Sequence, residues 1–182
     1  MIKTKDILDE SDPRVRAKNK PVTFPLNETN KNIIPEMLKH LRYSQIERLS
    51  KKYNLRPGMG LAAPQLGINE RFFVVCYERE KGKFEDYVLI NPKIISYSEE
   101  MIYAGEGEGC LSVNREVEGI VPRHARITIE AYDMNGNLQK YRAREDLSIA
   151  FQHEYDHLEG ILFTDYIDPK NPYKDSDSMR EI

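Results

Sequence analysis

The segment from Arg144 to Gly160 restricts the possible folds more than any other part of the chain, because it places two histidines four residues apart in a helical pattern. Its apolar residues recur at helical spacing, at Leu147, Ala150, Phe151 and Leu158. Acidic residues at its start and Gly160 at its end are typical of helix termini. On such a helix His153 and His157 share one face, about one turn apart along the axis. We therefore expect a central helix that presents both imidazoles to one site.

Several segments rich in β-branched and aromatic residues predict strands around this helix. They lie at residues 71–78, 84–92, 125–134, 137–143 and 161–167. Residues 80–83 suit a hairpin turn between the first two. The dipeptide Asn135-Gly136 favours a two-residue type I′ turn between the next two. The strands are therefore expected to pair mostly antiparallel.

Apolar residues within 33–53 recur at three- and four-residue spacing, which predicts a long N-terminal helical segment. Residues 168–182 are polar and predict a weakly ordered C-terminal tail. No repeat or linker interrupts the chain, and its length of 182 residues suits one domain. We expect an α+β fold, with mostly antiparallel strands around a central metal-binding helix, and a single catalytic domain over residues 1–182.

Charge and apolar content exclude several classes of function. The formal net charge of −3 provides no broad basic surface, so we expect no direct sequence-specific nucleic-acid binding. The longest apolar run, residues 72–77, is too short to cross a bilayer, so we expect a cytoplasmic protein without membrane contact. Cys76 and Cys110 are expected as thiols in such a compartment, with a disulfide between them as the alternative.

The two histidines suit a shared divalent metal ion, and Glu154 is placed to reach a water bound to that ion. A solvated helix that carries two histidines by chance is the alternative interpretation. A third ligand would decide between them, and two known arrangements match poorly. The third histidine of an extended pattern falls on Phe163, and the one distant glutamate, Glu181, stands next to the last residue.

Cys110 offers another candidate for the third ligand. It lies among Gly105, Gly107 and Gly109, which permit close backbone approach. One thiolate and two imidazoles would leave a fourth position open for water, as in catalytic rather than structural sites. The alternative for Cys110 is a small apolar residue packed in a turn.

A third segment, Gly58 to Gly67, has small residues that would let an extended peptide pair with its backbone. Gln65 adds a neutral donor to this segment. A plain turn with a surface glutamine is the alternative, because glycine-rich loops are individually unspecific. No lysine follows the glycines as in a phosphate-binding loop.

Together these segments resemble the peptide deformylases. The motifs are "GMGLAAPQ" at 58–65, "EGCLS" at 108–112 and "QHEYDH" at 152–157, in that order. The short polar tail, the long segment before the first motif and "YEREKGKFEDY" resemble the type 2 class found in Gram-positive bacteria. The resemblance covers most of the chain.

The resemblance implies hydrolytic removal of the formyl group from the N-terminal formyl-methionine of newly synthesised polypeptides, with release of formate. It implies that Cys110, His153 and His157 ligate one divalent metal ion and that Glu154 is the general base and acid. Fe²⁺ is the expected native ion, with Ni²⁺, Co²⁺ or Zn²⁺ possible in purified protein. The ligand set alone would favour zinc.

Further roles also follow from the resemblance alone. Gln65 and the backbone amide of Leu111 would face the developing oxyanion, and Glu108 would pair with Arg123 to support the centre. The residues implied to contact the substrate are Met59, Gly60, Leu61, Gly109, Ile149 and Ala150. The first three would present backbone groups to the peptide, and the last two would line the pocket for the methionine side chain. A transient contact with the ribosome is implied as well.

Two other functions compete with this interpretation. A general metallopeptidase would cleave internal peptide bonds with the same centre. A non-enzymatic domain would use the metal only to hold its fold, and it would need a fourth protein ligand. His40 and His124 stand outside any recognisable ligand spacing, and neither is assigned a role.

Overall fold

The computed structural model describes residues 1–182. Its α-helices are α1 (Glu28–Gln45), α2 (Glu47–Tyr53) and α3 (Glu145–Leu158). Its strands are β1 (Gly60–Ala62), β2 (Phe72–Glu80), β3 (Lys83–Tyr97), β4 (Met101–Tyr103), β5 (Arg123–His124), β6 (Arg126–Tyr132), β7 (Leu138–Arg144) and β8 (Arg180–Glu181). The predicted α+β class with an antiparallel sheet is confirmed.

The main sheet has five strands in the order β1-β2-β3-β6-β7, and every neighbouring pair in it is antiparallel. A smaller sheet has the order β5-β4-β8, with β8 parallel to β4. β1 forms one edge of the main sheet. Its outer side is therefore free of any neighbouring strand.

The apolar side chains of β2 alternate between two cores. Phe72 and Val74 pack with the side chains of α1, whereas Phe73 and Val75 pack with those of α3. The rings of Phe73 and Phe151 lie 6.0 Å apart, centroid to centroid. The sheet thus lies between two helices, and burial on both faces explains the unbroken apolar run of this strand.

The N-terminal helical segment begins earlier than the predicted stripe and is divided in two. Asn27 precedes α1 and accepts a hydrogen bond from the Asn30 N–H at 2.8 Å, which satisfies one of the free donors of the first turn. Ile46 has an extended backbone, with φ −98° and ψ 107°, and separates α1 from α2. No helix in the structure combines the length and apolar character that a membrane span requires.

The turn between β6 and β7 differs from the predicted type I′ turn. Only Gly136, with φ 80°, has a positive φ there, whereas a type I′ turn requires two such residues. The Asp133 N–H donates to the Asn137 carbonyl at 2.9 Å, so the loop has three residues rather than two. The Asp133 carboxylate accepts from the Asn135 and Asn137 N–H groups and stabilises the longer loop.

The predicted strand at 161–167 is wrong. Phe163–Tyr166 forms a 3₁₀ helix instead. Its first turn is closed from both sides, since the Asp165 side chain accepts from the Leu162 N–H at 3.0 Å and the Asp165 N–H donates back to the Leu162 carbonyl at 2.9 Å. This local bonding competes with strand pairing.

The C-terminal tail is better ordered than its composition predicts. It ends in β8, which pairs with β4. Arg180 forms ion pairs with Glu100 at 2.9 Å and Glu145 at 2.8 Å. Polar residues here are anchored by charge rather than by apolar burial.

Candidate metal centre and active site

Three side chains with metal-ligating atoms converge at the base of a cleft. The Cys110 Sγ lies 3.3 Å from the His157 Nε2. The ligand atoms of Cys110, His153 and His157 all lie within 4.8 Å of one another, and all three residues are buried. The structure thus brings together the three residues that the sequence and its resemblance single out.

α3 places the two imidazoles side by side, with ring centroids 5.1 Å apart. The Phe163 ring stacks on His153 at 5.9 Å, so the position of a third histidine in the extended pattern is occupied by a packing contact. Glu181 is exposed in β8 and accepts a hydrogen bond from Tyr103. Neither Phe163 nor Glu181, the two alternative positions for the third ligand, takes part in the centre.

The remaining cysteine and histidines lie outside the centre. Cys76 and Cys110 are both free thiols, so the alternative disulfide does not form. Burial raises the pKa of Cys76 to about 12, which keeps this core thiol protonated. His40 and His124 each use Nδ1 in a contact with a backbone carbonyl oxygen, at 3.0 Å and 2.7 Å. Both histidines therefore have structural contacts, and neither belongs to the group of metal-ligating residues.

A buried carboxylate orients the first histidine. The His153 Nδ1 lies 2.7 Å from the Glu108 Oε2, and donation from Nδ1–H leaves the Nε2 lone pair for a metal ion. The Arg123 guanidinium donates to both Glu108 oxygens, at 2.7 Å and 3.0 Å. Burial acts to raise the pKa of Glu108, but the bonds from His153 and Arg123 outweigh it and hold the pKa at about 2.

Asp156 and Tyr166, which the sequence analysis did not identify, also support Arg123. Arg123 also donates to the Asp156 carboxylate at 2.6 Å. Asp156 accepts a second bond from the Tyr166 hydroxyl at 3.1 Å, and the Tyr166 ring lies 5.0 Å from the guanidinium carbon. The position of Asp156, directly before His157, is the one sequence signal that could have indicated it.

Electrostatics at the centre favour a cation. Burial lowers the pKa of His157 well below its ordinary value, so this imidazole stays neutral as a ligand must. For His153 burial acts in the same direction, but the neighbouring Cys110 and Glu108 outweigh it and raise the pKa well above the ordinary value. The Glu108 carboxylate that would stabilise a proton on His153 would equally stabilise a metal ion bound to this imidazole.

Glu154 projects from the same helix into the cleft. It is buried, and its Oε2 has no hydrogen-bond partner in the protein. Burial raises its pKa to about 7, with His153 opposing the shift. A buried acceptor without a donor, beside one sulfur and two nitrogen ligands, fits a site completed by a divalent ion and its water. Sulfur and imidazole ligands suit Fe²⁺, Co²⁺, Ni²⁺ or Zn²⁺, whereas Mg²⁺ and Ca²⁺ prefer oxygen.

The Gln65 amide is held in one orientation. Its Oε1 accepts from the Ala62 N–H at 2.9 Å, so its Nε2 must face the centre. That nitrogen lies 3.1 Å from the Ser112 Oγ and 3.6 Å from the Cys110 Sγ. Ser112 is a further residue that sequence reasoning missed, although it belongs to the same motif as Cys110.

A second donor lies in the turn that carries Cys110. Leu111 lines the cleft, and its backbone N–H donates to no protein acceptor. The next N–H, from Ser112, points back at the Cys110 Sγ at 3.4 Å. The turn therefore directs one amide to the thiol and leaves the other for a ligand.

The free edge of β1 forms one wall of the cleft. The Cys76 N–H donates to the Met59 carbonyl at 2.8 Å, and Gly60 pairs with Val75 in register. Antiparallel alternation then turns the Gly60 N–H and C=O to the free edge and those of Leu61 towards β2. The expectation that Leu61 presents its backbone to a peptide is corrected, since Leu61 does not line the cleft.

The cleft encloses about 350 Å³. The other predicted contact residues that line it are Met59, Gly60, Gly109, Ile149 and Ala150. Ile149 and Ala150 lie one turn before the histidine and glutamate on the same face of α3. A Cβ added at Gly60 would collide with the Glu154 carboxylate, whereas a Cβ at Gly109 would meet nothing within 4 Å.

The segment before α1 contacts three parts of the chain that carry site residues. The Leu8 N–H donates to the Gln65 carbonyl at 2.8 Å, and the Glu10 N–H donates to the Ser112 carbonyl at 2.7 Å. A third bond, from the Asn19 N–H, reaches the end of α3 at 3.0 Å. These backbone bonds join three segments that are distant in sequence.

Comparison with known proteins gives a consistent result. A family model described as polypeptide deformylase matches residues 4–173. A peptide deformylase of Oceanobacillus iheyensis is 46% identical over 173 residues, which are 95% of this chain and 94% of that protein. The protein named peptide deformylase 2 of Bacillus anthracis is 43% identical over 182 residues, covering 100% of this chain and 99% of that protein.

Solved structures agree with the sequence relatives. The peptide deformylase of Thermotoga maritima superposes with a TM-score of 0.70 at 34% identity, covering 90% of this chain and 97% of that chain. A plant peptide deformylase superposes with a TM-score of 0.75 at 33% identity, covering 94% of this chain and 85% of that chain.

Proposed function

The chain belongs to the polypeptide deformylase family, in its Gram-positive type, and we propose that Cys110, His153, His157 and Glu154 form its catalytic centre. It is a hydrolase that removes the formyl group from the N-terminal methionine of newly synthesised polypeptides. One observation supports the proposed centre most directly. A thiol and two imidazoles have ligand atoms within 4.8 Å of one another, beside a buried, unpaired carboxylate.

Cys110, His153 and His157 would hold one divalent metal ion, which makes α3 the metal-binding helix. Bound there, the ion would supply Lewis-acid chemistry, lowering the pKa of water and polarising a carbonyl group. We propose Fe²⁺ as the native ion from the family resemblance, with Ni²⁺, Co²⁺ and Zn²⁺ as ions that the same ligands accept. Glu108 and Arg123 keep the His153 ring in its ligating orientation.

Glu154 moves the protons. Its carboxylate is free of protein donors, and a pKa of about 7 lets it both accept and return a proton near neutral pH. It takes a proton from the attacking water as the new bond to the formyl carbon forms. It then protonates the nitrogen of the methionine as that nitrogen leaves, which yields formate and a free amino terminus.

The oxyanion that develops on the formyl oxygen would be stabilised from two sides. The Leu111 N–H is unpaired and lines the cleft. The Gln65 Nε2 is fixed by the bond between its Oε1 and Ala62. Donors held in advance at this position cost no reorganisation during the reaction.

The Gln65→Ala variant is expected to lower kcat by about 100-fold or more, because one oxyanion donor is removed. Formate release from a formyl-methionyl dipeptide would measure it. Gln139→Ala, which removes a glutamine that does not line the cleft, serves as the matched control. An unchanged kcat in Gln65→Ala would contradict the assigned role.

The substrate is proposed to extend β1 by one strand. Gly60 offers an N–H and a C=O at the free edge, as peptide recognition by strand addition requires. Met59 and Gly109 would border this path. The methionine side chain would enter the apolar part of the cleft beside Ile149 and Ala150.

The Gly60→Ala variant is expected to lower kcat by about 100-fold, since a displacement of ~1 Å in a catalytic group costs that much. The added Cβ would collide with the Glu154 carboxylate and displace it. Metal content, measured by elemental analysis, should stay at the level of the unmodified protein because the three ligands are unchanged. Full activity in this variant would show that Glu154 does not occupy this position during catalysis.

The cellular context is proposed from the resemblance. The substrates are nascent formyl-methionyl polypeptides, with a transient contact to the ribosome and a cytoplasmic location. We propose that residues 1–182 act as one catalytic domain. Backbone bonds from the segment before α1 to all three site segments support this unity.

Formate release tests the function directly. The protein is incubated anaerobically with a formyl-methionyl peptide, its acetylated analogue and an unblocked peptide of the same sequence. Formate from the first peptide, with no acetate from the second and no shortened product from the third, is the expected result. Faster cleavage of an internal bond would instead favour a general metallopeptidase, and stoichiometric metal without formate would favour a structural site.

A further inference from the structure

We propose that Arg56 is a positioning residue for the proposed centre, and that it ties the two walls of the cleft together. Arg56 lies in the loop between α2 and β1, and it lines the cleft. Its Nη2 donates to the carbonyl oxygens of Cys110 and Val113, each at 3.1 Å. Its Nη1 donates to the Asn114 Oδ1 at 2.5 Å. One side chain from the β1 wall thus holds the whole turn that carries Cys110.

The partners of this guanidinium distinguish it from an ordinary surface arginine. Every one of its acceptors is a neutral oxygen, and it forms no ion pair. Arg123, in contrast, uses its donors on two carboxylates. A guanidinium that donates to two carbonyl oxygens and one amide oxygen fixes the geometry of these groups rather than neutralising a charge.

The clamped turn controls two groups of the centre. The Val113 N–H donates to the Cys110 carbonyl at 3.1 Å, so the carbonyl that Arg56 holds also closes this turn. Inside the turn lie the Leu111 N–H, free for the oxyanion, and the Ser112 N–H, which contacts the Cys110 Sγ at 3.4 Å. A shift of the turn would therefore move the thiol ligand and the oxyanion donor together.

The clamp continues beyond the cleft. Asn114 donates through Nδ2 to the Asp9 carboxylate at 2.6 Å. The β1 loop, the Cys110 turn and the N-terminal segment are thereby linked through Arg56. Removing the fork would free the turn from the β1 wall while leaving every proposed ligand in the chain.

This inference rests on the proposed function, and its test separates the two. Arg56→Met keeps much of the apolar stem and removes all donors, whereas Arg56→Lys keeps the charge without the fork. Arg48→Met is the control, because Arg48 is exposed and has no hydrogen-bond or ion-pair partner. Measurements are kcat and KM for a formyl-methionyl peptide, metal affinity by chelator competition, and the thiolate charge-transfer band of the cobalt-loaded protein.

Loss of an outer support of a metal site typically costs about 10- to 100-fold in metal affinity or activity. We expect Arg56→Met to lose that much in kcat and in metal affinity, to keep KM almost unchanged, and to shift the charge-transfer band. Arg56→Lys should recover a small part of the loss. Should Arg56→Met fail to fold, Asn114→Ala provides a milder loosening of the same clamp, with changes in the same direction.

Two results would overturn the proposal. A rise in KM alone, with kcat and the cobalt spectrum unchanged, would make Arg56 a substrate-binding residue. Full recovery by Arg56→Lys would mean that its charge acts and the fork does not. If the unmodified protein released no formate, the proposed function would fail, whereas a shifted cobalt band in Arg56→Met would still support the clamp.

Discussion

The Glu154→Gln variant is expected to bind its metal normally and to lose turnover by about 10³-fold or more, near the upper range for a general acid and base. Glutamine has the size of glutamate, and Glu154 is buried beside Gly60 of β1, so the cleft should keep its shape. An amide cannot take the proton of the attacking water or return it to the leaving nitrogen. The kcat for a formyl-methionyl dipeptide and the metal content of the same sample are the two measurements.

Glu116→Gln is the matched control for this prediction, because Glu116 is exposed and removed from the cleft. It should behave as the unmodified protein in both assays. Substantial turnover in Glu154→Gln would show that another group transfers the protons. Loss of metal from Glu154→Gln would instead indicate that Glu154 is itself a ligand.

The Cys110→Ser variant is expected to lose both metal and activity. A serine hydroxyl stays protonated near neutral pH and does not replace a thiolate, since ligands must be deprotonated to bind. Loss of an outer-shell partner already costs about 10- to 100-fold, so loss of a direct ligand should cost more than about 100-fold. Elemental analysis after dialysis and formate release give the two readouts.

Cys76→Ala is the control for a missing thiol, because Cys76 packs in the core on the α1 side of the sheet. It should keep metal and turnover, with a modest loss of thermal stability from the smaller side chain. Retention of stoichiometric metal by Cys110→Ser would remove Cys110 from the proposed ligand set. The His153 and His157 pair would then require a different third partner.

Local patterns in the sequence predict the parts of the fold that local forces control. The helix around His153 and the alternating strands can be predicted because, within a regular element, the position of a residue determines whether its side chain is buried or exposed. The short strand β1 was not predicted, since a glycine-rich loop becomes a strand only by pairing with β2. The 3₁₀ helix at Phe163–Tyr166 was mistaken for a strand because an apolar composition does not distinguish the two.

In the candidate site as well, the residues that could be predicted are those marked by local sequence patterns. The histidine pair is visible because its members stand on one helix, and Cys110 is indicated by its glycine-rich segment, by the lack of a rival ligand and by the family resemblance. Asp156 and Arg56 were missed because their importance comes from contacts across the fold, with Arg123 and with the Cys110 turn. In the sequence, Asp156 is marked only by its place directly before His157, and nothing separates Arg56 from an ordinary surface charge.

The backbone bonds of the segment before α1 have a consequence for the order of synthesis. Residues 8–19 are made before their partners, which lie at Gln65, at Ser112 and at the end of α3. Both imidazoles stand in α3, so any product that stops short of this helix lacks them and also leaves Asn19 without its backbone partner. The proposed centre can therefore form only after α3 has been translated.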